Sequence, residues 1–138
     1  MIYLLDTDLL SLLRKGHPKV AARIAATPPN DLAVTIITVE EQISGWYRAL
    51  RQATSPPELA RTYERLTATI RFLSRVPIVT YDEPAILRAR QLQSFKLNVR
   101  KSDLSIAAIA LEHHAIVVTR NLRDFGRIPG LVCEDWSI

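Results

Sequence analysis

Four acidic residues, Asp6, Glu41, Asp103 and Asp124, recur in one kind of local setting along a chain of 138 residues. Each stands just after a run of strand-forming residues or in the opening turn of an apolar helical pattern. Asp6 follows Ile2-Tyr-Leu-Leu5, Glu41 follows Leu32 to Thr38, Asp103 opens the stretch Leu104 to Leu111, and Asp124 follows Ala115 to Thr119. Unbroken apolar runs of this type mark strands buried on both faces of a parallel sheet. Ligands of such sheets bind at the carboxyl ends of the strands. Four carboxylates gathered there would repel one another strongly, and a hard divalent cation relieves that repulsion. Oxygen donors with few histidines select Mg²⁺ or Mn²⁺ over zinc, and such an ion beside a basic surface points to phosphodiester hydrolysis. Read singly, each acid has a plainer use. Asp8 and Asp103 suit helix caps or dipole partners, and Glu41 stands three residues after Thr38 as in a capping box.

The elements that must position these acids are legible in turn. After Asp6, leucines at 9, 10, 12 and 13 predict a short helix ending near Gly16, and a second helix covers Lys19 to Ala26. Leu32 to Thr38 is the second strand by its β-branched content, followed by a helix over 39–53. Ser55-Pro-Pro-Glu58 opens another over 56–75, whose apolar stripe is Leu59, Tyr63, Leu66, Ile70 and Leu73. These two helices make an antiparallel hairpin, whose apolar surface with Trp46 is a candidate for partner contact and otherwise ordinary core. Val76 to Thr80 is a third strand, Asp82-Glu-Pro84 opens the next helix, and 103–111 is apolar on most sides and therefore buried. Ala115 to Thr119 is a fourth strand, with Leu131 to Cys133 as an edge. The expected fold is α/β, three-layered, with a central, mostly parallel sheet flanked by helices.

Composition bounds the function. The length suits one domain over 1–138, and 48% apolar with 23% charged residues is ordinary for a globular chain. No run approaches a membrane span, and Asp6 interrupts the first apolar run too early for a signal peptide, so the expected address is the cytoplasm. The only cysteine, Cys133, excludes an internal disulfide and a CxxC metal site. Adjacent His113 and His114 point about 100° apart on a helix and cannot share one ion; they and His17 are read as structural or surface residues. Net charge is +4, and the surface outside the four acids is more basic still, which suits a polyanion.

Four stretches together resemble the PIN-domain ribonucleases of the VapC toxin type: Leu4-Leu-Asp6-Thr-Asp8-Leu-Leu-Ser11; Thr35 to Glu41 with Gly45 beyond; Ser102-Asp103-Leu-Ser-Ile-Ala-Ala108; and Val118-Thr-Arg-Asn121-Leu-Arg-Asp124-Phe125. The resemblance covers essentially the whole chain. It implies a PIN-like fold, a metal-dependent endoribonuclease using Mg²⁺ or Mn²⁺, a cognate antitoxin and a homodimer. Asp6, Glu41, Asp103 and Asp124 match the catalytic metal ligands, and Thr7, Thr119 and Asn121 the supporting polar positions. The spacing favours Glu41 over its neighbour Glu40. The loop before Asp103 departs from the family, which often has glycine there; Asn98-Val-Arg-Lys101 is bulky and basic, so Arg100 and Lys101 are candidate phosphate contacts.

Two alternatives remain at this point. Asp6-Thr-Asp8 also resembles the start of haloacid-dehalogenase-type phosphatases, with Asp6 as nucleophile and Asp8 as acid–base, although a late Asp-Asp pair is lacking. A PIN fold that binds RNA or a partner without catalysis is the other. Without an ion the clustered acids should hold a proton near neutral pH, and Asp103→Asn is expected to stabilise the ion-free protein.

Overall fold

A computed structural model describes residues 1–138. In chain order it contains β1 (Tyr3–Leu5), α1 (Thr7–Arg14), α2 (Pro18–Ala26), β2 (Leu32–Thr35), α3 (Ile36–Gln52), α4 (Pro56–Leu73), β3 (Ile78–Val79), α5 (Glu83–Ser94), α6 (Lys101–Glu112), β4 (Ile116–Val118), α7 (Leu122–Phe125) and β5 (Val132–Glu134). The strands form one sheet in the order β3-β2-β1-β4-β5, and every neighbouring pair is parallel. Helices between the strands supply the crossovers that parallel pairing demands.

The two leucines of β1 explain the layers, because successive strand residues face opposite sides. Leu4 joins Ala33 and Val117 in a core beneath α5 and α6, while Leu5 joins Val34 and Val118 against Leu9, Leu10, Val20 and Trp136. Helix α6 is buried from Asp103 through Ala110, as its apolar composition requires. Trp136 closes the second core: its ring lies 5.1 Å from that of Tyr3, Arg23 stands 4.8 Å over it, and its indole N–H donates to Glu134 at 2.9 Å. No helix is long and apolar enough to cross a membrane.

Several boundaries differ from the sequence expectation, for local reasons. The second strand stops at Thr35 instead of Thr38 because the Thr35 hydroxyl accepts the Thr38 N–H at 3.1 Å and caps α3 three residues early. Cap and packing override the β-propensity of Ile36 and Ile37. Thr38 is therefore inside the helix, and no Thr38–Glu41 capping box exists. Asp6, not Asp8, caps α1, accepting the Leu9 N–H at 3.1 Å. Ser55 caps α4 as expected, but the expected apolar stripe is split: Leu66 and Leu73 are buried, while Leu59, Tyr63 and Ile70 face outward. The third strand shrinks to Ile78–Val79, and the edge strand lies one residue later than read.

Candidate functional site

Asp6 sits at the carboxyl end of the central strand β1, where its backbone N–H donates to Val118 O at 3.1 Å. It is 7% exposed. Burial pushes its carboxyl up to about 6; the Thr119 hydroxyl and the Leu9 N–H oppose that rise, and the charges of Asp8 and Asp103 add to it. Glu41, one helical turn into α3, accepts the Thr7 hydroxyl at 3.1 Å. Its carboxyl is also raised, chiefly by burial; Thr7 and Arg100 act against this, while Asp103 and Asp8 reinforce it. Asp103, 3% exposed in the first turn of α6, has no cap bond to the helix. It is gripped instead by Arg100, whose Nε reaches Oδ2 at 3.3 Å and whose Nη2 reaches Oδ1 at 3.2 Å. The same Nη2 lies 3.9 Å from Glu41 Oε2.

Asp6 and Glu41 thus both feel the charge of Asp103 and of Asp8. Asp8 is the residue that sequence reasoning undervalued: its exposed carboxylate acts on Asp6, Glu41 and Arg100 alike. The signal was its place two residues after Asp6, which sets both at the opening of one short helix.

Asp124 stands apart from this group in its contacts. Asn121 Nδ2 donates to it at 2.9 Å, and Arg127 Nη1 at 3.2 Å. That same Arg127 nitrogen donates to Asn98 O at 3.0 Å, tying α7 to the loop that precedes α6. Asn121 also accepts the Asp124 N–H at 3.3 Å as the cap of α7. It shares a cleft of about 570 Å³ with Asp8, Ser11, Lys15 and Arg120, and its backbone N–H donates to Thr119 Oγ1 at 2.9 Å. Lys101 is exposed at the start of α6.

A second cleft, of about 670 Å³, leads away from Thr7 and Glu41 past Arg14, Trp46, Glu64 and Arg65. Arg14 lies 5.2 Å over the Trp46 ring and donates to Thr69 Oγ1 at 3.2 Å and Gln42 Oε1 at 3.0 Å. Burial, then the neighbouring Arg65, lower its basicity, as expected for a cation bonded only to neutral groups.

As they stand, the acids do not bring three ligands to one point; the guanidinium of Arg100 is among them instead. The donor chemistry nevertheless fits a hard cation. Two carboxylates are raised by burial and by neighbouring negative charge, and Mg²⁺ typically takes one or two carboxylates while keeping several waters. The histidines have other work: His17 caps α2, accepting the Val20 N–H, and His113 ends α6.

Comparison with known proteins identifies the family. The profile of the PIN domain family matches residues 3–131. Ribonuclease VapC1 of Haemophilus influenzae is 32% identical over 144 residues, covering 99% of each chain. A tRNA(fMet)-specific endonuclease VapC of Salmonella typhimurium is 29% identical, covering 97% of each chain. Among solved structures, the DNA-bound VapBC complex of Salmonella typhimurium superposes with a TM-score of 0.82 at 27% identity, over 99% of this chain and 98% of that one. With a family profile spanning nearly all of its length and a ribonuclease relative above 30% identity end to end, this chain belongs to the PIN-domain family, among the VapC ribonucleases.

Proposed function

We infer that the chain is the toxin of a toxin–antitoxin pair, an endoribonuclease that hydrolyses RNA phosphodiester bonds with Mg²⁺ or Mn²⁺. The whole of residues 1–138 acts as one PIN unit, in the cytoplasm where its RNA lies. The observation that carries the reading is the buried Asp103, forked by Arg100 within 3.9 Å of Glu41, whose charge acts on both Asp6 and Glu41. In the proposed assignment Asp6, Glu41 and Asp103 hold the ion, with Asn121 as the fourth contact. Asp124 positions, through Arg127, the loop that carries Arg100. When bound, the ion supplies an activated water and neutralises charge on the phosphoryl group. The chain's own part is to orient and to exclude: Thr119 and the Leu9 N–H fix Asp6, and Thr7 fixes Glu41.

The RNA strand leaves this centre along the cleft past Arg14 and Arg65, where cations meet phosphate. The names of the relatives support RNA as substrate, and the VapBC complex supports an antitoxin partner. A homodimer joined through the outer face of the α3/α4 hairpin completes the proposal. The phosphatase alternative finds no support in these relatives, and a non-catalytic PIN domain would have no use for an intact set of buried acids.

The test is cleavage of RNA by the purified chain. Activity is expected with Mg²⁺ or Mn²⁺ and should vanish in excess chelator. Asp6→Asn and Asp103→Asn should each abolish it while the protein stays folded, whereas Asp124→Asn should leave a reduced rate. Full activity in chelator, or in either of the first two variants, overturns the assignment.

A further inference from the structure

Arg100 is the cation that the fold sets among the acids, and its geometry is specific. Its guanidinium forks onto both oxygens of Asp103, at 3.3 and 3.2 Å, and reaches Glu41 at 3.9 Å. A divalent ion held by the same acids requires the same lone pairs and answers the same negative field, so guanidinium and ion compete.

The two sides of this pair are not equally free to move. The Asp103 side chain is 5% exposed on a buried helix, whereas that of Arg100 is 69% exposed. The Arg100 side chain is the solvent-exposed partner, while its backbone is held. Its carbonyl accepts the Leu104 N–H at 3.0 Å, and two residues earlier the Asn98 carbonyl is held by Arg127 at 3.0 Å. Asn98 itself takes the left-handed backbone conformation at φ 59°, which asparagine tolerates better than most residues. The backbone is thus a fixed pivot from which the guanidinium can swing without unfolding anything.

Resting on the nuclease reading above, we propose that Arg100 is a positioning residue with two alternating partners. In the ion-free protein it holds Asp103 and Glu41 as their counter-cation. Once a divalent ion claims those oxygens, it turns from the same pivot to grip a phosphate of the RNA. The swap links metal occupancy to substrate grip, because the arm that binds RNA is released only when the site is loaded. It also accounts for a bulky basic residue in a loop where glycine would leave the acids unguarded.

The experiment measures Mn²⁺ binding directly, by the spin-resonance signal of free Mn²⁺ in the absence of RNA, for the wild type, Arg100→Ala and Arg100→Lys. The Michaelis constant for a single-stranded RNA at saturating Mn²⁺ is measured beside it. Arg100→Ala should bind Mn²⁺ roughly five- to tenfold more tightly, the range of a charge-assisted fork on a partly exposed pair, and should raise the Michaelis constant several-fold. Arg100→Lys keeps the charge without the fork, so it should fall between the two in Mn²⁺ affinity and recover most of the RNA binding. If Arg100→Ala binds Mn²⁺ no more tightly than the wild type, Arg100 merely braces Asp103 and the competition is refuted. Tighter Mn²⁺ with an unchanged Michaelis constant refutes the phosphate role. Absence of Mn²⁺ binding in all three proteins takes down the metal-dependent reading itself, an outcome distinct from the others.

Discussion

Asp6 carries the electrostatic strain of this site, and the reason is that burial isolates it from any cation. Its folded-state value of about 6 lies above the ordinary 3.8, so the folded protein binds more protons than the unfolded one. In chelator, stability should therefore fall as pH rises from about 4 to about 6 and stay low above that. A shift of this size corresponds to roughly 3 kcal/mol as an upper figure. Asp6→Asn removes the charge but keeps an oxygen for the Leu9 N–H. It should melt above the wild type at pH 7.5 in chelator, by about 1–2 kcal/mol of stability, and the gap should close below pH 4. Equal melting at pH 7.5 would remove Asp6 as the strained group. The expectation that Asp103→Asn relieves the repulsion needs revision: Arg100 already compensates Asp103, so that variant also breaks a fork and should gain less than Asp6→Asn.

The α3/α4 hairpin separates two roles that its sequence ran together. Trp46 donates from its indole nitrogen to Thr69 Oγ1 at 2.8 Å, fastening α3 to α4, so it belongs to the hairpin's interior. Tyr47 and Tyr63 are 52% and 54% exposed and belong to its outside. Tyr47→Glu with Tyr63→Glu should leave the melting temperature nearly unchanged yet weaken self-association or antitoxin binding, as read by sedimentation. Trp46→Ala should lower stability by about 2 kcal/mol. Unchanged association in the double variant would move the interface elsewhere. Strand and helix order, the caps at Ser55 and Asp82 and the burial of α6 were readable because propensity, cap and apolar pattern agree there. The start of α3 was not, since Ile36, Ile37 and Thr38 favour a strand and only the Thr35 cap with its surroundings decides otherwise. That Asp6, Glu41 and Asp103 lie near one another was legible from their positions after strands and at helix openings. The partner of Asp124 was not: Arg127 finds it three residues later, and only folding brings Asn98 to the same nitrogen.

Across the molecule, positive charge is not paired off evenly. Net charge is +4, yet the acidic centre draws in Arg100, and Arg14 in the neighbouring cleft is bonded only to neutral oxygens. RNA affinity should therefore weaken steeply with salt, each neutralised phosphate contributing a slope of about −0.7 on a logarithmic plot for a single strand. Arg14→Ala and Arg65→Ala should each flatten that slope by about one contact while leaving Mn²⁺ affinity unchanged. A slope identical to the wild type in both would show that RNA takes another path.

The position of β1 has a temporal meaning. The strand that leads to Asp6 precedes β4, which flanks it, and Trp136, which packs on Tyr3, by most of the residues described. A growing polypeptide gains structure only as partners emerge, and pairing across so long a separation is slow. Completion of the sheet's centre therefore waits on the most distant pairing in the fold, β1 with β4.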